Sequence, residues 1–139
     1  PVMQYEKALR IAQHSINASE TFEFSGRWRN RNATILELKT KGPELDGLCR
    51  VAESGFVHTG EKTAVLKGFV MGDLIGFTAL WERSQSITQW CGQILGAETP
   101  HPKLVLMWRL ITELPEPEEP RYFWMSTFAG TDDFVRFYE

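Results

Sequence analysis

From Thr21 to its C-terminus the chain never holds a helical period. In its place stand short alternating or apolar runs bounded by turn residues, the pattern of β-strands joined by tight connections. These runs predict strands at Phe22–Arg29, Thr34–Thr40, Gly47–Ala52, Thr63–Met71, Leu74–Trp81, Ser86–Leu95, Lys103–Thr112 and Met125–Phe137. Gly72-Asp73 supplies a hairpin connection and Gly42-Pro43 a turn. The segment Leu114-Pro-Glu-Pro-Glu-Glu-Pro120 is excluded from helix and central strand, because proline removes donors and fixes φ. It reads as a stiff, acidic surface loop. Eight strands in succession predict an all-β fold, an eight-stranded antiparallel up-and-down barrel. A barrel of about that size has an interior wide enough for one small ligand.

Only the N-terminus departs from this pattern. Tyr5, Ala8, Leu9, Ala12 and Ile16 recur at i, i+3, i+4 and i+7, which predicts one amphipathic helix over residues 3–16. Residues 1–20 are therefore read as a helical extension and 21–139 as the barrel domain, one domain being what 139 residues allow.

Several function classes drop out on simple grounds. The net charge of -3 argues against a general nucleic-acid binder, which carries a basic surplus. No run approaches the roughly 18 apolar residues of a membrane helix, so no membrane partner is expected. His14, His58 and His101 lie far apart, and Cys49 and Cys91 fit no zinc spacing, so no metal site is expected. His101, between two prolines, reads as a loop residue. What stands out is aromatic bulk: five Trp, nine Phe and three Tyr, enough to fill a barrel core or line a pocket.

Side chains alternate across a strand, so each run divides into two faces. Ser86, Thr88 and Trp90 share one face, a mixture of hydroxyls and aromatic surface that suits a ligand pocket better than a dry core. Along Lys103–Thr112 both faces are apolar: Leu104, Leu106, Trp108 and Leu110 on one, Val105, Met107 and Ile111 on the other. Contact with another subunit covers such an outer face most economically, so a homo-oligomer is expected.

The strands also resemble a known family. Gly26-Arg-Trp28-Arg-Asn30, Gly76-Phe-Thr-Ala-Leu-Trp81, Ser86-Ile-Thr88-Gln-Trp90-Cys-Gly92-Gln93, Met107-Trp108-Arg-Leu110 and Trp124-Met-Ser-Thr-Phe-Ala-Gly130-Thr-Asp132 occur in the order found in the avidin–streptavidin biotin-binding proteins. The resemblance runs from about Phe24 to the C-terminus, and all five Trp fall where that family has Trp. It implies a non-catalytic protein that binds biotin, as ligand and without cofactor, in a dimer or tetramer that is secreted or periplasmic. Carried over residue by residue, Trp81, Trp90 and Trp108 would wall the pocket with Leu110 beside them. Asn30 would donate to the ureido oxygen and Asp132 would accept a ureido N–H. Thr88 would meet the head group near sulfur, Ser86 the valerate end, and Trp124 would reach into a neighbouring subunit's pocket.

Two departures from the family bear on affinity. The family's first turn is longer and carries a Ser that donates to the ureido oxygen, whereas Arg31-Asn32-Ala33-Thr34 leaves no room for it. Cys49 stands where the family has a Tyr donor, and a thiol donates weakly. Each lost bond costs roughly 1–3 kcal/mol, so binding weaker than that of the family's strongest members is expected. Asn32 is the nearest substitute donor, and Ser54, His58 and Thr59 are candidates for a ligand carboxylate. By alternation Cys91 points outward while Cys49 points into the pocket, which predicts two free thiols. The rival readings are a relative whose pocket takes a different small ligand and, in another class, a calycin-like barrel enzyme using Asp132 as acid or base. No nucleophile–base pair accompanies Asp132 in the sequence.

Overall fold

A computed structural model of the chain describes residues 3–13, 20–52, 60–113 and 127–138. Helix α1 (Tyr5–Gln13) precedes strands β1 (Gly26–Arg29), β2 (Ile35–Lys41), β3 (Glu44–Arg50), β4 (Thr63–Met71), β5 (Leu74–Trp81), β6 (Ser86–Leu95), β7 (Lys103–Thr112) and β8 (Thr127–Phe137). Each strand pairs antiparallel with the next, and β8 returns to β1, which closes the sheet into an up-and-down barrel.

Alternation decides which residues face inward. Ser86, Thr88 and Trp90 of β6 are buried while Ile87, Gln89 and Cys91 face out, and on β5 Ile75, Phe77, Ala79 and Trp81 form the buried set. Phe24, Trp28, Leu36, Leu66, Leu104 and Phe134 are among the most fully buried side chains, and the barrel is plugged at the end where Phe24 sits. There the chain enters along the β4–β5 hairpin, with Phe22 N–H donating to the Gly72 carbonyl at 2.9 Å and Gly72 N–H to Thr21 Oγ1 at 3.1 Å. The Trp28 indole N–H donates to the Phe24 carbonyl at 3.0 Å. The Arg136 guanidinium lies 4.5 Å over the Trp28 ring and 5.2 Å over that of Phe22, and it donates to the carbonyls of Glu23 and Ser25.

Element boundaries differ from the sequence reading chiefly at the first strand, the third strand and the helix, and β2 lies one residue on from the expected Thr34–Thr40. The first strand begins at Gly26, not Phe22, because Gly26 takes φ 135 and so interrupts the extended run; Phe22 and Phe24 plug the closed end instead. The third strand begins at Glu44 and ends at Arg50, since Glu44, Leu45 and Asp46 continue the hairpin ladder opposite Lys41, Thr40 and Lys39. The helix is described over Tyr5–Gln13, and none of its residues is buried. Ile16, the Pro-rich segment 114–120, Trp124 and Met125 lie outside the described residues. So do His14, Ser54, His58 and Thr59. His101 sits exposed in the β6–β7 connection, as its flanking prolines predict. No helix among the described residues is long and apolar enough to cross a membrane.

Arg136 couples the last strand to the first by stacking on Trp28 and by satisfying carbonyls of the entry segment. Removing it costs about 1–2 kcal/mol of cation–π and hydrogen-bond energy. Arg136→Ala is expected to lower Tm by several degrees in differential scanning calorimetry. An unchanged Tm would show that the closed end holds without this clamp.

Candidate ligand-binding site

At the other end of the barrel the interior opens into a cavity of about 930 Å³. Its size lies within the ordinary range for small-molecule pockets, about 300–1,000 Å³. Asn30, Trp81, Ser86, Thr88, Trp90, Trp108, Leu110 and Asp132, all singled out in the sequence, line this one cavity. Trp124 lies outside the described residues.

The polar end is built where β1 runs out. Asn30, nearly buried, folds the turn to β2 around its own side chain: Oδ1 accepts the backbone N–H groups of Asn32 at 3.0 Å and Thr34 at 2.9 Å. Ala33 takes φ 64 to complete the turn, and the Asn30 N–H donates to the Thr34 carbonyl at 3.1 Å. With Oδ1 committed to two donors, the amide orientation follows and Nδ2 must point toward the cavity. One Nδ2 hydrogen is held by Asp132 Oδ2 at 2.6 Å. Nδ2 carries a second hydrogen beside it. Asp132 Oδ1 accepts the Asp133 N–H at 2.9 Å, and a carboxylate has lone pairs beyond the two used here. Donor and acceptor thus sit side by side at fixed spacing.

The walls are aromatic. Trp90 stacks on Phe77 with ring centroids 4.9 Å apart, so its indole is braced from behind. Trp81 donates its indole N–H to Thr88 Oγ1 at 3.1 Å, which leaves the Thr88 hydroxyl hydrogen to donate elsewhere. Trp108 fills the space a side chain would take at its strand partner Gly130; a Cβ there would meet the indole at 2.7 Å. Ser86, also buried, stands at the mouth end of β6.

Cys49 is fully buried and lines the cavity, and Cys91 is exposed; both are free thiols. Burial without a charged partner pushes the Cys49 thiol up to about 12. It stays protonated and neutral at physiological pH, an inert wall rather than a nucleophile. Among the described residues no group of His, Cys, Asp and Glu could hold a metal ion. Val51, Phe134, Thr131 and Thr34 also line the cavity and were not identified from sequence. Val51 and Phe134 each stand two residues beyond a recognised inward position, Cys49 and Asp132, so the period-2 rule would have found them. Asn32, the substitute donor considered above, lines the cavity with its backbone N–H already tied to Asn30.

The sequence matches the Avidin family over residues 18–137. Among solved structures the chain is similar to xenavidin, with 25% identity and TM-score 0.71, covering 85% of this chain and 100% of that one. It is also similar to a biotin binding protein from chicken, with 25% identity and TM-score 0.70 over 84% and 97%. Apo shwanavidin shares the fold at 23% identity and TM-score 0.66, over 84% and 99%. No protein of curated function matches the sequence.

The two thiols are expected to separate chemically. Iodoacetamide at neutral pH should label Cys91 quickly in the native protein and Cys49 only after denaturation, as mass spectrometry of the intact chain would read. Rapid double labelling would place Cys49 outside the buried wall.

Proposed function

The chain belongs to the avidin family, and on that footing we propose that it is a non-catalytic binding protein for biotin or a biotin-like cyclic urea. The observation that carries this reading is the Asn30–Asp132 pair facing three indoles across one cavity. A ureido group offers two N–H donors and one carbonyl acceptor, and buried polar atoms need matched partners. Asp132 accepts one N–H, Asn30 Nδ2 donates to the carbonyl oxygen, and Thr88 meets the opposite side of the head group. Trp81, Trp90 and Trp108 with Leu110 enclose the apolar body, and Ser86 receives the tail at the mouth.

Affinity falls below that of the strongest relatives because the ureido oxygen keeps Asn30 but gains little from a neutral thiol at Cys49. The same residue favours the second reading, a different small ligand, since its short side chain shapes the polar end unlike a phenol. The catalytic alternative through Asp132 has less support: its carboxylate is engaged by the Asn30 amide and by the Asp133 backbone N–H, neither of them a nucleophile. The apolar outer face supports self-association into a dimer or tetramer: Phe69, Met71 and Met107 are each about 70% exposed in the single chain. Trp124 would then supply a neighbour's pocket, and the family likeness supports a secreted or periplasmic setting.

Saturating biotin is expected to raise Tm by a clear margin, since a ligand of the native state stabilises by RT ln(1 + [L]/Kd). No shift at millimolar biotin would sink the biotin assignment and promote the second reading.

The geometry also supports an order of side-chain effects. Asp132→Ala strands a ligand N–H and also frees Asn30 Nδ2, costing on the order of 2 kcal/mol or more, with Asn30→Ala next and Ser86→Ala least. Cys49→Tyr should tighten binding by restoring a donor. Isothermal titration would check the series, and unchanged affinity in Asp132→Ala would refute the assigned roles.

A further inference from the structure

Four strands carry one row of inward positions in direct register: Phe77 of β5, Trp90 of β6, Trp108 of β7 and Gly130 of β8. Neighbouring strands lie only about 4.8 Å apart, so three large rings abreast on the concave inner face crowd one another. Phe77 and Trp90 use that spacing by stacking, with ring planes 26° apart. Trp108, third in the row, extends over Gly130. The atoms nearest to a Cβ built there are its Cζ2, Cε2 and Nε1, at 2.7, 2.8 and 3.0 Å. Close-packed side chains do not approach so nearly, so glycine is what leaves the indole its place. The other close glycines of the barrel differ in kind. A Cβ at Gly47, Gly68 or Gly92 would run into the backbone of the adjoining strand, at Glu37, Gly76 or Val105. At Gly130 all three nearest atoms belong to one indole. The φ of Gly130 also lies outside the left-handed region, so its conformation is open to alanine.

The missing side chain therefore serves the ring, and the ring is a wall of the cavity. With a methyl at 130 the indole has to give way. On its other side in the row Trp90 is held by Phe77, so the open direction is into the cavity. The obstacle is a side chain that turns about its own χ angles, not a strand, so the barrel accommodates the methyl while the cavity narrows. We propose that Gly130 is a positioning residue for ligand binding that acts through Trp108. Its empty side-chain place seats the indole and sets how thick a ligand body fits against β7. The proposal rests on the reading that this cavity holds a biotin-like ligand.

The full chain labelled with 5-fluorotryptophan tests the seat without any ligand. Loss of one fluorine signal in Trp108→Leu identifies the Trp108 resonance among the five Trp. Gly130→Ala is expected to move that resonance more than any other. Gly76→Ala is the control, since a Cβ there stands 3.7 Å from the Trp90 carbonyl, and it leaves the Trp108 signal in place. An unmoved Trp108 signal in Gly130→Ala would overturn the proposal, as would an equal shift of all five. Biotin titration reads the consequence for binding. Gly130→Ala weakens it roughly ten-fold, and the same change costs almost nothing once Trp108→Leu has removed Cζ2, Cε2 and Nε1. An equal loss in both backgrounds shows that Gly130 does not act through the indole, and refutes the idea. Should Gly130→Ala fail to fold, recovery of the fold in the double variant supports the seat, and failure of both refutes it. Absence of biotin binding by the unmodified protein sinks the biotin reading alone, because the fluorine shifts still decide what seats Trp108.

Discussion

The barrel closes through a seam of three residue pairs, Arg27 with Phe137, Trp28 with Arg136, and Arg29 with Val135. Everything the site does depends on that seam. A sheet of eight strands left open would expose two edges to other chains, and closure abolishes them. Closure also brings Asn30, at the end of the first strand, to Asp132, 102 residues later on the last. The donor and the acceptor of the polar end therefore exist as a pair only in the closed barrel. The seam is short because β1 holds four residues, and Arg136 compensates by stacking on Trp28 and binding carbonyls of the entry segment.

Period-2 alternation made most of the site legible in the sequence. Once Trp90 is taken as inward, Ser86 and Thr88 must follow, and the same rule carries Trp108 to Leu110 and Leu104. What escaped was what alternation does not encode. The positive φ of Gly26 sets where β1 begins, and nothing in the residues Phe22–Ser25 distinguishes an extended plug from a strand. The start of β3 at Glu44 was hidden because its outward residues are acidic and its pairing partners lie across a hairpin. The orientation of the Asn30 amide was equally hidden, being set by the backbone N–H groups of Asn32 and Thr34 in a turn too short to show a motif.

Cys49 shows how one wall residue divides fold from function. For the core, a small buried thiol is adequate: it packs as a modest hydrophobe and, held protonated by burial, brings no charge into the interior. For a ligand carbonyl it is a weak donor where a phenol would be a strong one. The two demands fall on the same atom: what suits the core here is a small neutral group, and what would suit a carbonyl ligand is a strong donor.

Strands β4 and β7 carry apolar residues on both faces, so hydrophobic pattern alone would leave their register loosely specified. Charge resolves it. Lys67 sits on the outer face of β4 between Val65 and Phe69, and Arg109 on the outer face of β7 between Met107 and Ile111. A slip by one residue would carry each cation into the barrel, where an unpaired charge is far more costly than an exposed methionine. Each strand therefore has one inward face, although its two faces are similarly apolar. Because those cations fix the register, Val65, Phe69, Met107 and Ile111 cannot serve as a spare core. Their apolar surface is directed outward by the same charges, and it is removed from water only when a second surface covers it.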